Sequence, residues 1–261
     1  MGQIISFGKK SLKRNLFLSF SVLLLSFLPV QTIFAAGITV GSGGSFSIAG
    51  GSVDVGCGDV EVNGTLNLNT GTLTRVASVL LNGVMNGDSG LLQFGKDWVG
   101  NGTFNPGSST VSLVDECGDG DSVIVGDNTF WNLGITSLIG KIVTFEADRT
   151  TNVLNDVQFA GTDGNFLTLQ GSEDLKYWTL ILAPTGNQFV DWVAVKNSYA
   201  NPPGQHMAPS FPEAFNSLDL GFNFRWFMDG LIPIPTLSIW GMILMIGGIF
   251  LVAGIRRRRV L

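Results

Sequence analysis

From Gly37 to about Val114 the chain is a series of short apolar alternations broken by Gly, Asn, Asp and Ser. Phe46 and Ile48, Val53 and Val55, Val60 and Val62, Leu66 and Leu68, and Val111 and Leu113 each flank one small or polar residue. A period of two bounded by turn-forming residues predicts strands. No segment here has the 3.6-residue apolar period of a long amphipathic helix. Beyond residue 122 strands are expected at Val123–Val125, Phe130–Leu133, Ile142–Phe145, Val153–Phe159, Phe166–Leu169, Trp178–Leu182 and Phe189–Val195. Asn201–Pro212, with four of the nine prolines, reads as a loop or an arm across the surface, and Asn216–Phe227 as a closing strand or cap.

A repeat underlies the alternation. Asn63-Gly64-Thr65-Leu66, Asn82-Gly83-Val84-Met85 and Asn101-Gly102-Thr103-Phe104 recur every 19 residues, and Gly43-Gly44-Ser45-Phe46 lies one unit earlier, shifted by one. A period near 20 in an all-strand sequence predicts a β-solenoid, parallel β-helix-like, in which each unit is one coil and the stacked coils share a continuous apolar interior. The Asn-Gly pairs then become corners tolerant of left-handed backbone. A chain of β-hairpins is the competing reading, because Asn-Gly is also the strongest hairpin signal. A fixed period, which hairpins do not need, favours the solenoid.

Both ends differ from this body. Lys9, Lys10, Lys13 and Arg14 precede the uncharged stretch Asn15–Val30, and Ala35 and Ala36 follow, which is the layout of a secretory signal peptide over residues 1–35. At the other end, Leu237–Ile255 comprises 19 residues without charge. As a helix that length spans roughly 28 Å, enough to cross a bilayer. Pro233 and Pro235 keep the helix from starting earlier. Arg256, Arg257, Arg258 and Arg259 form a topology anchor expected on the cytoplasmic side. Residues 36–229 are thus read as an exported all-β ectodomain, and 230–261 as a membrane-anchoring segment with a basic tail at 256–261.

The charges divide accordingly. All twenty acidic residues lie between the two termini, which hold eight of the fifteen basic ones, so the body has seven basic residues against twenty acidic and a net charge of −13. Such a body repels phosphates, which excludes nucleic acid and anionic lipid headgroups as ligands. Two cysteines in an oxidising compartment make a Cys57–Cys117 disulfide the first reading, with two unpaired buried thiols as the other. A regular stack would place these positions about three coils, roughly 14 Å, apart. A disulfide needs Cα atoms within about 7 Å. Stack and bond are compatible only if a loop folds back, and Asp115–Asp121 is the segment suited to it.

Candidate chemistry is sparse. Asp115, Glu116, Asp119 and Asp121 could offer oxygens to Ca²⁺, but they lack the Asp-x-Asp-x-Asp-Gly order, and a solvated acidic turn is the ordinary reading. The cysteines have no neighbouring His to complete a metal site. His206, the only histidine, reads as a surface loop residue. Trp98, Trp131, Trp178, Trp192 and Trp226 could stack on sugars, although core packing is the default for aromatics in strands. Asn63 and Asn101 match the glycosylation sequon, which turn formation also explains. No catalytic constellation, cofactor motif or metal site emerges.

Ile234-Pro235-Thr236-Leu237-Ser238, then Trp240-Gly241, the apolar run and the arginine cluster closely resemble the IPTL-CTERM sorting signal of Gram-negative bacteria. Ile239 stands where that signal commonly has an acidic residue. The resemblance implies handling by an exosortase, a membrane-embedded cysteine protease or transpeptidase, in bacteria that often make exopolysaccharide. The body also looks like the Gly-rich all-β ectodomains that accompany such tails, through Gly56–Asp59, Asn101–Val111, Asn128–Leu133 and Asp219–Phe227. The expected function is that of a non-catalytic structural or adhesive surface or matrix protein, transiently membrane-held, with exopolysaccharide or other surface components as partners. The alternative is a polysaccharide-binding or polysaccharide-cleaving β-helix enzyme, which needs paired carboxylates or a basic residue with Ca²⁺ on one exposed face.

Overall fold

In the computed structural model residues 37–228, apart from Asp119, are described. The expected signal peptide, the Ile234–Gly241 motif, the 237–255 helix and Arg256–Arg259 lie outside them. Among the described residues no helix is long and apolar enough to cross a membrane.

The alternating segments wind into a right-through stack of about eight coils in which every sheet pairing is parallel, so the chain is a β-solenoid and not a succession of hairpins. The first sheet stacks Ile38–Val40, Val60–Val62, Val79–Leu81, Trp98–Gly100, Ser122–Val125, Ile142–Phe145, Leu167–Gly171, Val193–Lys196 and Leu218–Asp219. The second has four strands, Ser45–Ser47, Thr65–Asn67, Val84–Asn86 and Thr103–Asn105. The third stacks Ser52–Asp54, Thr72–Val76, Leu91–Phe94, Thr110–Leu113, Asn128–Thr136, Thr150–Ala160, Trp178–Leu182 and Ser198–Ala200, with Asn187–Asp191 beside the far half of Thr150–Ala160. One 3-10 turn, Pro212–Phe215, precedes the last strand.

The 19-residue period is the register of the stack. Val60 pairs with Val79 and Val79 with Trp98, while Thr65, Val84 and Thr103 line up on the second sheet. Alternate residues point inward, and Val60, Val62, Leu66, Leu68, Leu73, Val79, Leu81, Met85, Leu92, Val111 and Leu113 form one continuous buried column. Outside, Asn86 donates to Asn67 and Asn105 to Asn86, an amide ladder that satisfies side-chain polar groups from coil to coil.

The Asn-Gly pairs are corners, but the reason for the glycine differs from the expected one. Gly64, Gly83 and Gly102 are not left-handed; left-handed backbone falls instead at Ala49, Asn69, Asp88 and Gly107, in the next corner of each coil. A Cβ at Gly83 would press on the Gly64 carbonyl and lie 2.7 Å from the Asn63 carbonyl carbon, and one at Gly102 would lie 2.7 Å from that of Asn82. Glycine is required there because successive corners touch backbone to backbone.

After Asn105 the cross-section changes. Asn128–Thr136 and Thr150–Ala160 are long strands whose mutual register breaks between Phe130 and Asn132, so each runs around what were two sides of the earlier coils. Asn128, buried, accepts from the Trp98 indole and donates to the Val125 and Gly126 carbonyls. Larger side chains fill the altered interior: Trp98 meets Phe104 and Phe130 edge-on at 5.4 and 5.3 Å, and Phe145 stacks on Trp178 at 3.9 Å. The segment 201–212 is not an arm over the surface. Met207 and Ala208 are fully buried, and the Gln205 amide continues the stack on the Leu182 carbonyl, because this stretch completes the last full coil.

Candidate functional site

The corner between the third and first sheets concentrates the chain's unusual chemistry. Cys57 and Cys117 both occupy it in left-handed conformation, and they are disulfide-bonded with Cα atoms 5.0 Å apart. The stack accommodates the bond through an insertion. Trp98 pairs with Ile124, a step of 26 residues where the preceding step from Val79 to Trp98 is 19. The extra chain falls between Val114 and Ser122, where Glu116 and Cys117 lie over the corner of the coil below. Gly95 lies underneath, and a Cβ there would press on the Glu116 carbonyl and come within 3.3 Å of the Cys117 Cβ. In the same corner Lys141, 2% exposed, donates from its ammonium to the Gly95 carbonyl and, at 3.3 Å, to the Ser122 hydroxyl.

Two of the four acidic residues considered for calcium, Asp115 and Asp121, cap backbone here. Asp115 accepts from the Leu138 amide at 2.6 Å, and Asp121 accepts from the Ile142 amide at 3.2 Å. Asp59, Asp97 and Asp127 do the same for Ser78, Val123 and Thr150 at 3.0, 2.9 and 2.8 Å. In each case a carboxylate of one coil satisfies an amide of the next, so part of the acidity closes corners that a strand ladder leaves open. Asp119 lies outside the described residues. Among the described residues no group of three or more His, Cys, Asp or Glu is placed to hold a metal ion.

The basic residues are similarly occupied. Arg75 pairs with Asp54, Arg149 with Asp127 and Glu146, Lys176 with Asp148 and Glu173, and Lys196 with Asp174. The Lys196 ammonium, hydrogen-bonded to Asp174 at 2.7 Å, holds that carboxyl below its ordinary value, and Glu173 and Asp148 hold the Lys176 ammonium above its own. All six of these ion pairs lie at the surface, so they contribute little to stability.

Of the tryptophans considered as sugar platforms, Trp98, Trp178 and Trp226 are core, while Trp131 and Trp192 are half-buried. His206 is half-buried, its Nε2 2.7 Å from the Phe227 carbonyl oxygen. Asn63 accepts at 3.0 Å from Asn82 in a ladder, and Asn101 is exposed.

The outer face of the third sheet holds a feature that the sequence did not announce. Two adjoining hollows of about 220 and 250 Å³ share Asp156 and Gln158 and continue from Thr110 and Ser112 across Asn132 and Gly134 to Asn187 and Phe189. These residues come from four separate strands, and only the register brings them together. The regular alternation Leu133-Gly134-Ile135 gives no local sign of the hollow.

Fold and surface together define a parallel β-solenoid with a disulfide-clasped corner and a polar groove on one face. Compared with models of protein families, with curated proteins and with solved structures, the chain matches none.

Proposed function

We propose that this chain is an exported protein, sorted by an exosortase to the cell surface or extracellular matrix, whose solenoid is a non-catalytic structural or adhesive module. The observation that carries the reading is the Cys57–Cys117 clasp. A reducing compartment does not preserve such a bond, and export is what the two terminal segments are built for. The Ile234–Gly241 resemblance supplies the sorting step. The membrane hold is transient, and the processed body is released or attached outside.

The non-catalytic part rests on where the carboxylates are. Asp59, Asp97, Asp115, Asp121 and Asp127 cap backbone amides, and Asp54, Asp148 and Asp174 pair with basic side chains. Among the described residues Asp156 is the one carboxylate lining the groove of the third sheet, whereas glycoside hydrolysis ordinarily uses two. Cell fractionation with protease shaving tests the sorting. The native protein is expected in surface or extracellular material, and a Pro235→Ala/Thr236→Ala variant is expected to remain with the inner membrane. Native protein confined to the inner membrane, or a variant that reaches the surface equally, would overturn the reading.

A further inference from the structure

On the outer face of the third sheet two rows of side chains run across the strands. In the first, Thr110, Asn132, Asp156 and Asn187 are successive partners. Here Asn132 donates to the Thr110 hydroxyl at 3.1 Å and accepts from Asn155 at 2.8 Å, and Asn187 donates to one oxygen of Asp156 at 2.7 Å. Within this row Asn132 is tied to Thr110 and Asn187 to Asp156, and among the described residues no bond takes up the second Asp156 oxygen. In the second row Ser112, Gly134, Gln158 and Phe189 are successive partners. Gly134 has no side chain to fill its place, and a Cβ there would meet only the Ser112 side chain, its hydroxyl at 3.2 Å. The gap becomes the floor of the trough. Gln158 stands beside it, and Phe189, 53% exposed, closes the end as a bare aromatic. Among the described residues neither the Ser112 hydroxyl nor the Gln158 amide has a hydrogen-bond partner.

We infer that this trough binds a neutral polysaccharide chain, lying across the strands with a sugar face on Phe189 and hydroxyls on Ser112, Gln158 and Asp156. The chemistry selects the ligand class. A polyol offers both donors and acceptors, matching a hydroxyl and an amide that do both and a carboxylate oxygen that only accepts. Its ring carbons present an apolar face that suits an exposed phenyl group. The trough contains no basic side chain and holds Asp156, within a body of net charge −13, which disfavours a polyanion. From Ser112 to Phe189 it crosses three strand spacings, roughly 14 Å, so it engages several residues of a chain rather than one sugar. The weak, repeated contacts of one trough become useful when many copies meet one polymer.

The inference deepens the surface-protein reading and rests on it for its biological sense, but its test is independent. Full-length protein in detergent is run in native gels containing dextran, galactomannan, xyloglucan or alginate. Retardation by at least one neutral polymer, and none by alginate, is expected. Phe189→Ala and Gly134→Leu should each weaken the retardation about tenfold, while Phe46→Ala, on the second sheet, leaves it unchanged. Circular dichroism confirms that Phe189→Ala is folded, and Gln158→Ala serves as a second exposed variant. Retardation by alginate alone, by no polymer, or equally in all variants would overturn the inference. If the protein is nevertheless surface-sorted, the trough assignment fails alone; if it is retarded but never processed, the sorting proposal fails alone.

Discussion

Gly83→Ala separates a solenoid whose coils touch at the Asn-Gly corners from a looser stack. The added methyl would lie 2.7 Å from the Asn63 carbonyl carbon, beyond its clash with the Gly64 carbonyl oxygen. Carbon atoms rest about 3.5 Å apart, so the corner must open by about 0.8 Å. Three backbone bonds cross that opening: Asn82 and Gly83 donate to the Val62 carbonyl at 2.9 and 2.7 Å, and Val84 donates to the Gly64 carbonyl at 2.8 Å. Stretched by that amount they leave the hydrogen-bonding range. At about 1 kcal/mol each the loss is about 3 kcal/mol, offset by about 0.5–1 kcal/mol because alanine restricts the unfolded chain. A net loss of about 2–3 kcal/mol lowers the melting temperature of a body this size by about 5–10 °C. Gly41→Ala is the control: a Cβ there has nothing within 4 Å and the residue is not left-handed, so its stability should hold or rise by up to about 1 kcal/mol. Thermal unfolding followed by circular dichroism reads both. Equal melting temperatures for the two variants would refute the close-contact account.

Other outcomes follow from the same structure. Closing a 60-residue loop stabilises the fold by about 4 kcal/mol in the chain-entropy model, so Cys57→Ser/Cys117→Ser should melt well below the native protein, and the difference should vanish when the native disulfide is reduced. Trp98→Ala removes a fully buried ring and orphans the Asn128 carbonyl it donates to, and should lower stability by about 3–5 kcal/mol in urea titration. Asp174 has its carboxyl depressed by Lys196, so the pair contributes above the ordinary aspartate range and its contribution disappears as pH falls through the lowered value. Asp174→Asn should therefore differ from the native protein only slightly at neutral pH and low salt, and not at all in acid or high salt; a difference that grows in acid would contradict this.

The solenoid was legible because the 19-residue Asn-Gly spacing is the coil length itself, and the strand alternation between Val60 and Leu113 is the inward and outward alternation of its sides. Cys57 and Cys117 were also legible as a pair, together with the loop that joins them. The conformational role of Gly64, Gly83 and Gly102 was not, since a glycine in sequence looks the same whether it turns the chain or makes room for the next coil. Beyond Asp121 the insertion and the merging of two sides at Phe130 change the step length, so the spacing that reveals the early coils no longer applies. The trough was hidden for a related reason: Ser112, Gly134, Gln158 and Phe189 are separated by 22, 24 and 31 residues, unequal intervals that become neighbours only through the register.

The sorting proposal meets its most direct test in the C-terminus of the mature protein, determined by intact-mass and C-terminal peptide mass spectrometry of surface material. The proposal predicts a chain ending near Pro235 and lacking Arg256–Arg259 in the native protein, and full-length chain in Pro235→Ala/Thr236→Ala. Surface protein that still carries Arg256–Arg259 would contradict it and reduce the tail to a permanent anchor.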